Sequence, residues 1–217
     1  MEEQLQLPCL STLEIRCCPF DGWMPQLLSL NTLVLHRTGE GLLEETLKQA
    51  SLSPLQSLSI EGTNNVGSVP EEVLQSLASL KSLKIARMQT KVLSPWLQHL
   101  TSLKSLSIDN CMDVNLLEEK NKELIQCLGK LHYLTISESE GMVPLPKGIQ
   151  HLTSLNTLTM SSPEEFESFD EWPIDKLNKR CGSNQGEDWP LISHIPNIYV
   201  NGKCIQHNGH NWFRRYY

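Results

Sequence analysis

One apolar grid recurs along the chain. Written L-x-x-L-x-x-L-x-I, it falls at Leu7/Leu10/Leu13/Ile15, Leu27/Leu30/Leu33/Leu35, Leu52/Leu55/Leu58/Ile60, Leu77/Leu80/Leu83/Ile85, Leu100/Leu103/Leu106/Ile108, Leu128/Leu131/Leu134/Ile136 and Leu152/Leu155/Leu158/Met160. All 28 of these positions are apolar in a chain that is 39% apolar, which removes chance as an explanation. Successive third leucines lie 20, 25, 25, 23, 28 and 24 residues apart, within the roughly 20–29 residues of a leucine-rich repeat.

The end of each grid, as in Ser105-Leu106-Ser107-Ile108, alternates polar and apolar residues with the period of a strand. Each repeat is therefore expected to open with one short strand. Neighbouring strands pair in parallel, and leucines from adjacent repeats close a core that no single repeat buries alone. Return segments are predicted to be helical at Leu42 to Gln49, Glu71 to Leu77 and Asn115 to Leu128. The last sets Leu116, Leu117, Leu124, Ile125 and Leu128 against charged residues. The fold class read from this is α/β, a leucine-rich-repeat solenoid: a curved parallel sheet on the concave side, short helices and loops on the convex side.

An eighth grid uses isoleucine, Ile192/Ile195/Ile198/Val200. The expected organisation is a solenoid over 1-200, with seven regular repeats, an irregular insertion at 161-190 and a terminal strand at 192-200, followed by a disordered tail at 201-217. The insertion contains Gly182, Gly186 and the acidic run PEEFESFDEWPID. The chain is inside a repeat by Leu7. That predicts a fragment of a longer protein, or one whose upstream repeats lie elsewhere.

A net charge of -7 over 217 residues supplies no basic footprint for nucleic acid. No apolar stretch approaches a membrane span and no secretory leader follows Met1. N-x-S/T is absent. Seven cysteines at irregular spacings point to thiols in a reducing compartment rather than a disulfide framework. Cys18 and Cys111 fall where such repeats bond loop backbone through a small polar side chain, as do Thr63 and Ser139. Cys204-x-x-His207-x-x-His210 matches no standard zinc spacing, so neither a metal nor another cofactor is expected. His99 and His151 share one repeat position and His194 sits beside the last grid. No nucleophile, base and orienting carboxylate fall together, so no catalytic residue is assigned and the chain is not read as an enzyme.

Outward strand positions should form the concave face, where repeat proteins bind partners. The residue before each third leucine is Thr12, Thr32, Ser57, Ser82, Ser105, Tyr133 or Thr157, six small hydroxyls and one aromatic. Later positions add Arg16, His36, Arg37, Lys84 and Arg87 in the first four repeats, then Asp109 and Glu138. These eight side chains, counting Tyr133 with them, are the candidate protein-binding residues. One reading is a polarised face, cationic toward the N-terminus, for an acidic partner. The other is an ordinary solvated face, because Glu14 and Glu61 interrupt the cations.

The repeat style, seen in SLSIEGTNNVGSVPEEVLQSLASL and TISESEGMVPLPKGIQHLTSL, resembles the leucine-rich-repeat region of plant intracellular nucleotide-binding disease resistance proteins of the coiled-coil class. The block LNKRCGSNQGEDWPLISHIPNIYV is similar to the closing block of that family, with its R-C, G-x-D-W and I-x-H-I-P. The resemblance spans about Leu7 to Val200, and the tail NGKCIQHNGHNWFRRYY runs past the family's usual end. No G-x-x-x-x-G-K-[ST] is present, so nucleotide binding is assigned to no residue. The resemblance implies a cytoplasmic protein, with the nucleus as a second compartment. Its partners would be proteins: a pathogen effector, or the receptor's own upstream domains. The competing expectation is a substrate adaptor of a ubiquitin ligase or another intracellular binding scaffold.

Overall fold

The computed structural model of the chain describes residues 7–18, 24–62, 69–88, 93–111, 122–137, 145, 147–161, 180–181 and 186–211. Each grid opens a five-residue strand. These are β1 (Thr12–Arg16), β2 (Thr32–His36), β3 (Ser57–Glu61), β4 (Ser82–Ala86), β5 (Ser105–Asp109), β6 (Tyr133–Ser137) and β7 (Thr157–Ser161). They pair in parallel and in sequence order, with equivalent grid residues opposite one another: Leu13 with Leu33, Leu33 with Leu58, and so on to Leu134 with Leu158. The chain is thus a leucine-rich-repeat solenoid.

The first half of the grid makes a tight turn rather than strand. The N–H of the second leucine donates to the carbonyl of the first in Leu30/Leu27, Leu80/Leu77, Leu103/Leu100, Leu131/Leu128 and Leu155/Leu152, at 2.9 to 3.4 Å. From Leu27 onward every grid side chain is buried except Leu52, which is 60% exposed. There the preceding helix α1 (Glu40–Ala50) runs 11 residues, and Leu52 bonds instead to Gln49. The fully buried Leu47 and Ala50 occupy the core on that side. In the first repeat Leu7, Leu10, Leu13 and Ile15 are only partly buried.

Returning helices cover the other side of the leucines. Leu42, Leu43 and Leu47 of α1 face inward while Glu44 pairs with Lys48 at 2.7 Å on the outer face. Next come α2 (Glu71–Ser76), which follows Pro70 and carries Glu71 and Glu72 in its first turn, and α3 (Leu93–His99), which buries Trp96 and Leu97. Carboxylates at a helix start complement its dipole. The helix expected over Asn115 to Leu128 is described as α4 (Lys122–Cys127), continued by a 3-10 turn at Leu128–Lys130; residues 112–121 lie outside the described residues.

One residue after the strand, the chain leaves the sheet through the left-handed region at Cys17 (φ 46), Arg37 (φ 48), Gly62 (φ 67), Arg87 (φ 54) and Asn110 (φ 49). Each of these N–H groups donates to the last strand carbonyl of the next repeat, for example Arg37 to Glu61 at 2.7 Å and Arg87 to Asp109 at 2.9 Å. Gly and Asn adopt this conformation readily, whereas another L-residue gives up about 1–2 kcal/mol.

The eighth grid belongs to the same core, with Ile192, Ile195, Ile198 and Val200 all fully buried. Its strand, β8 (Asn197–Val200), pairs in parallel with β7. The anticipated terminal strand is shorter than 192-200 because its first residues form α5 (Trp189–Ile192) and the same tight turn, Ile195 to Ile192 at 2.9 Å.

Over 201–211 the expected disordered tail is not what forms, which corrects the sequence expectation there; residues 212–217 lie outside the described residues. Asn201 (φ 48) and Gly202 (φ 73) turn the chain back into β9 (Lys203–His207), antiparallel to β8, and Asn208 (φ 48) and Gly209 (φ 73) turn it again into β10 (His210–Asn211). Two residues with φ > 0 make the turn that suits the twist of a hairpin. Ile205 is fully buried, and the buried amide of Gln206 donates to the Ile195 carbonyl at 2.6 Å. Among the described residues this hairpin, rather than β8, forms the C-terminal end of the sheet.

Candidate functional site

Strands this short point their second and fourth residues into the core and their first, third and fifth outward. The outward residues line up across the sheet in rows. Arg16, His36, Glu61, Ala86, Asp109 and Ser137 form one row, because they are register partners from β1 to β6. Lys84 lies in the next row, opposite Ser59 and Ser107. Arg37 and Arg87 sit outside the sheet at the left-handed corners after β2 and β4. Tyr133 opens β6 and is 54% exposed, the largest exposed side chain at a strand start. Glu138 lies outside the described residues, as do Thr63 and Ser139.

The carboxylates that interrupt the cations in sequence meet them in space. Glu14 contacts Arg16 at 2.5 Å and His36 Nε2 at 3.4 Å. Glu61 contacts His36 Nδ1 at 2.9 Å and Arg87 at 3.3 Å. Farther along, Lys84 meets Asp109 at 3.0 Å. The N-terminal half of the face is therefore an alternating ladder, Arg16, Glu14, His36, Glu61, Arg87, rather than a cationic block. Both imidazole nitrogens of His36 face carboxylates, and the ring can donate to both only when each nitrogen carries a proton. Among the described residues no carboxylate pairs with Arg37.

Beyond β5 the face changes character. Around Tyr133 the outward residues are hydroxyls, Ser105, Ser107, Thr135 and Thr157, with Tyr199 one row in on β8. Tyr133 thus stands as an exposed aromatic among small polar side chains.

The thiols have structural surroundings, and none of the seven cysteines forms a disulfide. Cys111 is buried and its Sγ donates to the Asp109 carbonyl at 3.4 Å, the loop-bonding position read from the repeat, and burial raises its pKa. Cys18 is exposed. Cys181 is fully buried against the closing block, where burial, with Asp188 adding to it, pushes the thiol up to about 12. A thiol so raised is a poor nucleophile and a poor metal ligand at neutral pH. Cys204 and His207 fall on β9 and His210 on β10; among the described residues no group of three His, Cys, Asp or Glu side chains is placed to hold a metal. Among the same residues no helix is long and apolar enough to cross a membrane.

Residues that the sequence grouped as a closing block are joined physically. Arg180 holds Asp188 through contacts of 2.9 and 2.8 Å to its two carboxylate oxygens, and Trp189, Ile192 and Ile195 follow directly into the last turn.

No protein-family model matches the chain, and no curated protein matches it. Among solved structures it is similar to an internalin from Listeria monocytogenes, at 14% identity and a TM-score of 0.34, over 90% of this chain and 74% of that one. The fold assignment stands on the strand register and the grid. An extended concave surface carried by such a solenoid is the kind that repeat proteins present to protein partners.

Proposed function

We propose that the chain is the protein-interaction and autoregulatory repeat module of a plant intracellular immune receptor, acting in the cytoplasm and contributing to effector sensing. The observation that carries this reading is the closing block. The residues by which the chain resembles that receptor family, Arg180-Cys181, Asp188-Trp189 and Ile192-x-x-Ile195, are the ones that seal the last repeat. The role needs no catalysis and no cofactor. The inner face contacts either the upstream domains or an effector, and an effector shifts the receptor toward its active state only by binding that state more tightly.

The test has two arms. Sequencing the transcript through its 5′ region should place a nucleotide-binding domain with a P-loop ahead of this repeat region; an F-box-like helical segment there would overturn the receptor reading in favour of a ligase adaptor. Tyr133→Ala in the full receptor should leave thermal stability unchanged while altering partner capture or the defence response. Unchanged capture and response would remove the hydroxyl-rich half of the face from the proposal.

A further inference from the structure

We propose that Arg37 and Arg87 form a two-point clamp, one on each side of Gly62, for an extended acidic segment of a partner protein. This rests on the reading of the inner face as a partner-binding surface and names the subsite and the chemistry it selects.

Three observations converge at the corner that follows β2, β3 and β4. The first is conformational. Arg37 and Arg87 hold φ values of 48 and 54, where the corners after β3 and β5 use Gly62 and Asn110. Cys17 holds the same conformation after β1 (φ 46), so the turn accepts residues other than Gly and Asn, and what sets these two corners apart is the arginine side chain.

The second is steric. A Cβ added at Gly62 would come within 3.1 Å of the Arg37 Cγ. The Arg37 stem therefore lies over the bare glycine, and any side chain at 62 would push it aside. Arg87 approaches the same corner from the other side, through its 3.3 Å contact with Glu61.

The third is electrostatic. Arg16, Arg37, Lys84 and Arg87 stand against Glu14, Glu61 and Asp109 here, with His36 between the first two carboxylates. Arg87 is 57% exposed and shares Glu61 with His36, and Arg37 is exposed and forms no ion pair among the described residues. The corner keeps cationic capacity in a chain whose net charge is -7.

That net charge also selects the occupant. A nucleic acid or an anionic membrane meets the repulsion of the whole chain, since such polyanions need many phosphate contacts and a broad basic surface. A short acidic peptide segment samples only the local field. The two corners are two strand spacings apart, about 9–10 Å, and alternate side chains of an extended segment lie about 7 Å apart. Two long guanidinium arms close that difference, and each can hold a carboxylate in bidentate fashion. The segment would run across the strands, from the corner after β2 to the corner after β4.

Fluorescence anisotropy of a labelled poly-glutamate peptide, measured on the folded chain at low ionic strength, tests the clamp. Arg37→Asn and Arg87→Asn should each weaken binding several-fold and the double variant should abolish it. Arg37→Lys should lose less than Arg37→Asn, and added salt should release the peptide. Asn is at home in the left-handed region, so Arg37→Asn should melt no lower than the parent chain, which separates lost binding from lost folding. Equal affinity in the folded double variant would overturn the proposal. So would equal binding of poly-lysine, or displacement by inorganic phosphate with no preference for the peptide, which would mark a small-anion site. If the clamp fails while Tyr133→Ala still weakens capture of a partner, the inner-face reading stands and only this subsite falls.

Discussion

Arg180 and Asp188, eight positions apart, are held to each other twice. The guanidinium reaches both carboxylate oxygens, at 2.9 and 2.8 Å, and the Asp188 N–H donates to the Arg180 carbonyl at 3.0 Å. Asp188 is 5% exposed. A carboxylate this far from water is tolerable only with its cation in place.

Arg180→Ala should therefore cost about 3 kcal/mol of unfolding free energy, the usual scale for stranding a buried charge. Asp188→Asn on its own should cost less, because an amide needs no counter-charge. Urea denaturation of the single and double variants gives the coupling. A double variant as unstable as the sum of the singles would mean that the two residues do not act as a pair.

Leu106 and Leu52 are both grid leucines, yet they are 1% and 60% exposed. Leu106→Asp should abolish the cooperative thermal transition, since it drives an unpaired carboxylate into a core shared with the flanking repeats. Leu52→Asp should change stability by no more than about 0.5 kcal/mol, as expected for a surface site. Circular dichroism melts of the pair check both. Equal losses would show that the third repeat buries its first leucine after all.

Truncation after Gly202 removes β9 and with it the fully buried Ile205. It should expose the β8 edge and Ile198, lower the melting midpoint and promote self-association, as uncovered strand edges do. Truncation after Glu187 should be worse, because it also strips Asp188 from Arg180 and removes the eighth grid. Ile205→Ala isolates the packing term, at about 2–5 kcal/mol. A monomeric, protease-resistant product of the shorter truncation would show that the hairpin is dispensable.

Cys181 provides a pH prediction. Its folded thiol is pushed from an ordinary 9.0 up to about 12, so the unfolded chain ionises first. Its contribution is intact below pH 9 and declines as the pH rises from there toward 12. Cys181→Ala should flatten the fall in stability over that window relative to the parent chain. At pH 8, maleimide should modify the exposed Cys9 and Cys17 much faster than Cys181 or Cys111. Rapid labelling of Cys181 in the folded protein would contradict its burial.

The strands and their one-to-one pairing were legible because the grid fixes which face each residue takes, and a slip of one position would turn Leu106 outward. The eighth grid was legible on the same ground. The terminal hairpin was missed although Asn201-Gly202 and Asn208-Gly209 are its signal, each a two-residue turn with the dihedrals that such hairpins favour. The polar composition of the tail argues for disorder and obscures those two dipeptides. Leu52 was misplaced because the spacing alone does not reveal that α1 continues far enough to supply Leu47 and Ala50 to the core in its stead. On the concave face the sequence names Arg16, His36, Lys84 and Arg87 and also Glu14, Glu61 and Asp109, but not how they pair, because all but one of the pairs join residues 20 or more positions apart. The left-handed backbone of Arg37 and Arg87 was invisible, since arginine is not a residue that announces it.

Repeat lengths vary here, yet the sheet from Thr12 to Ser161 carries no slip, so the differences in length fall between the strands and not within them. Each inner-face residue consequently has a fixed address, a repeat and a row, independent of loop length. Unequal crossing-over between two repeats would join leucine to leucine at the seam and leave the interior unaware of the exchange. It would at the same time transplant a complete column of surface chemistry, for example replacing the Arg87 corner with the Asn110 one. Such a scaffold can exchange whole units of surface chemistry while the register of its leucine strands is kept.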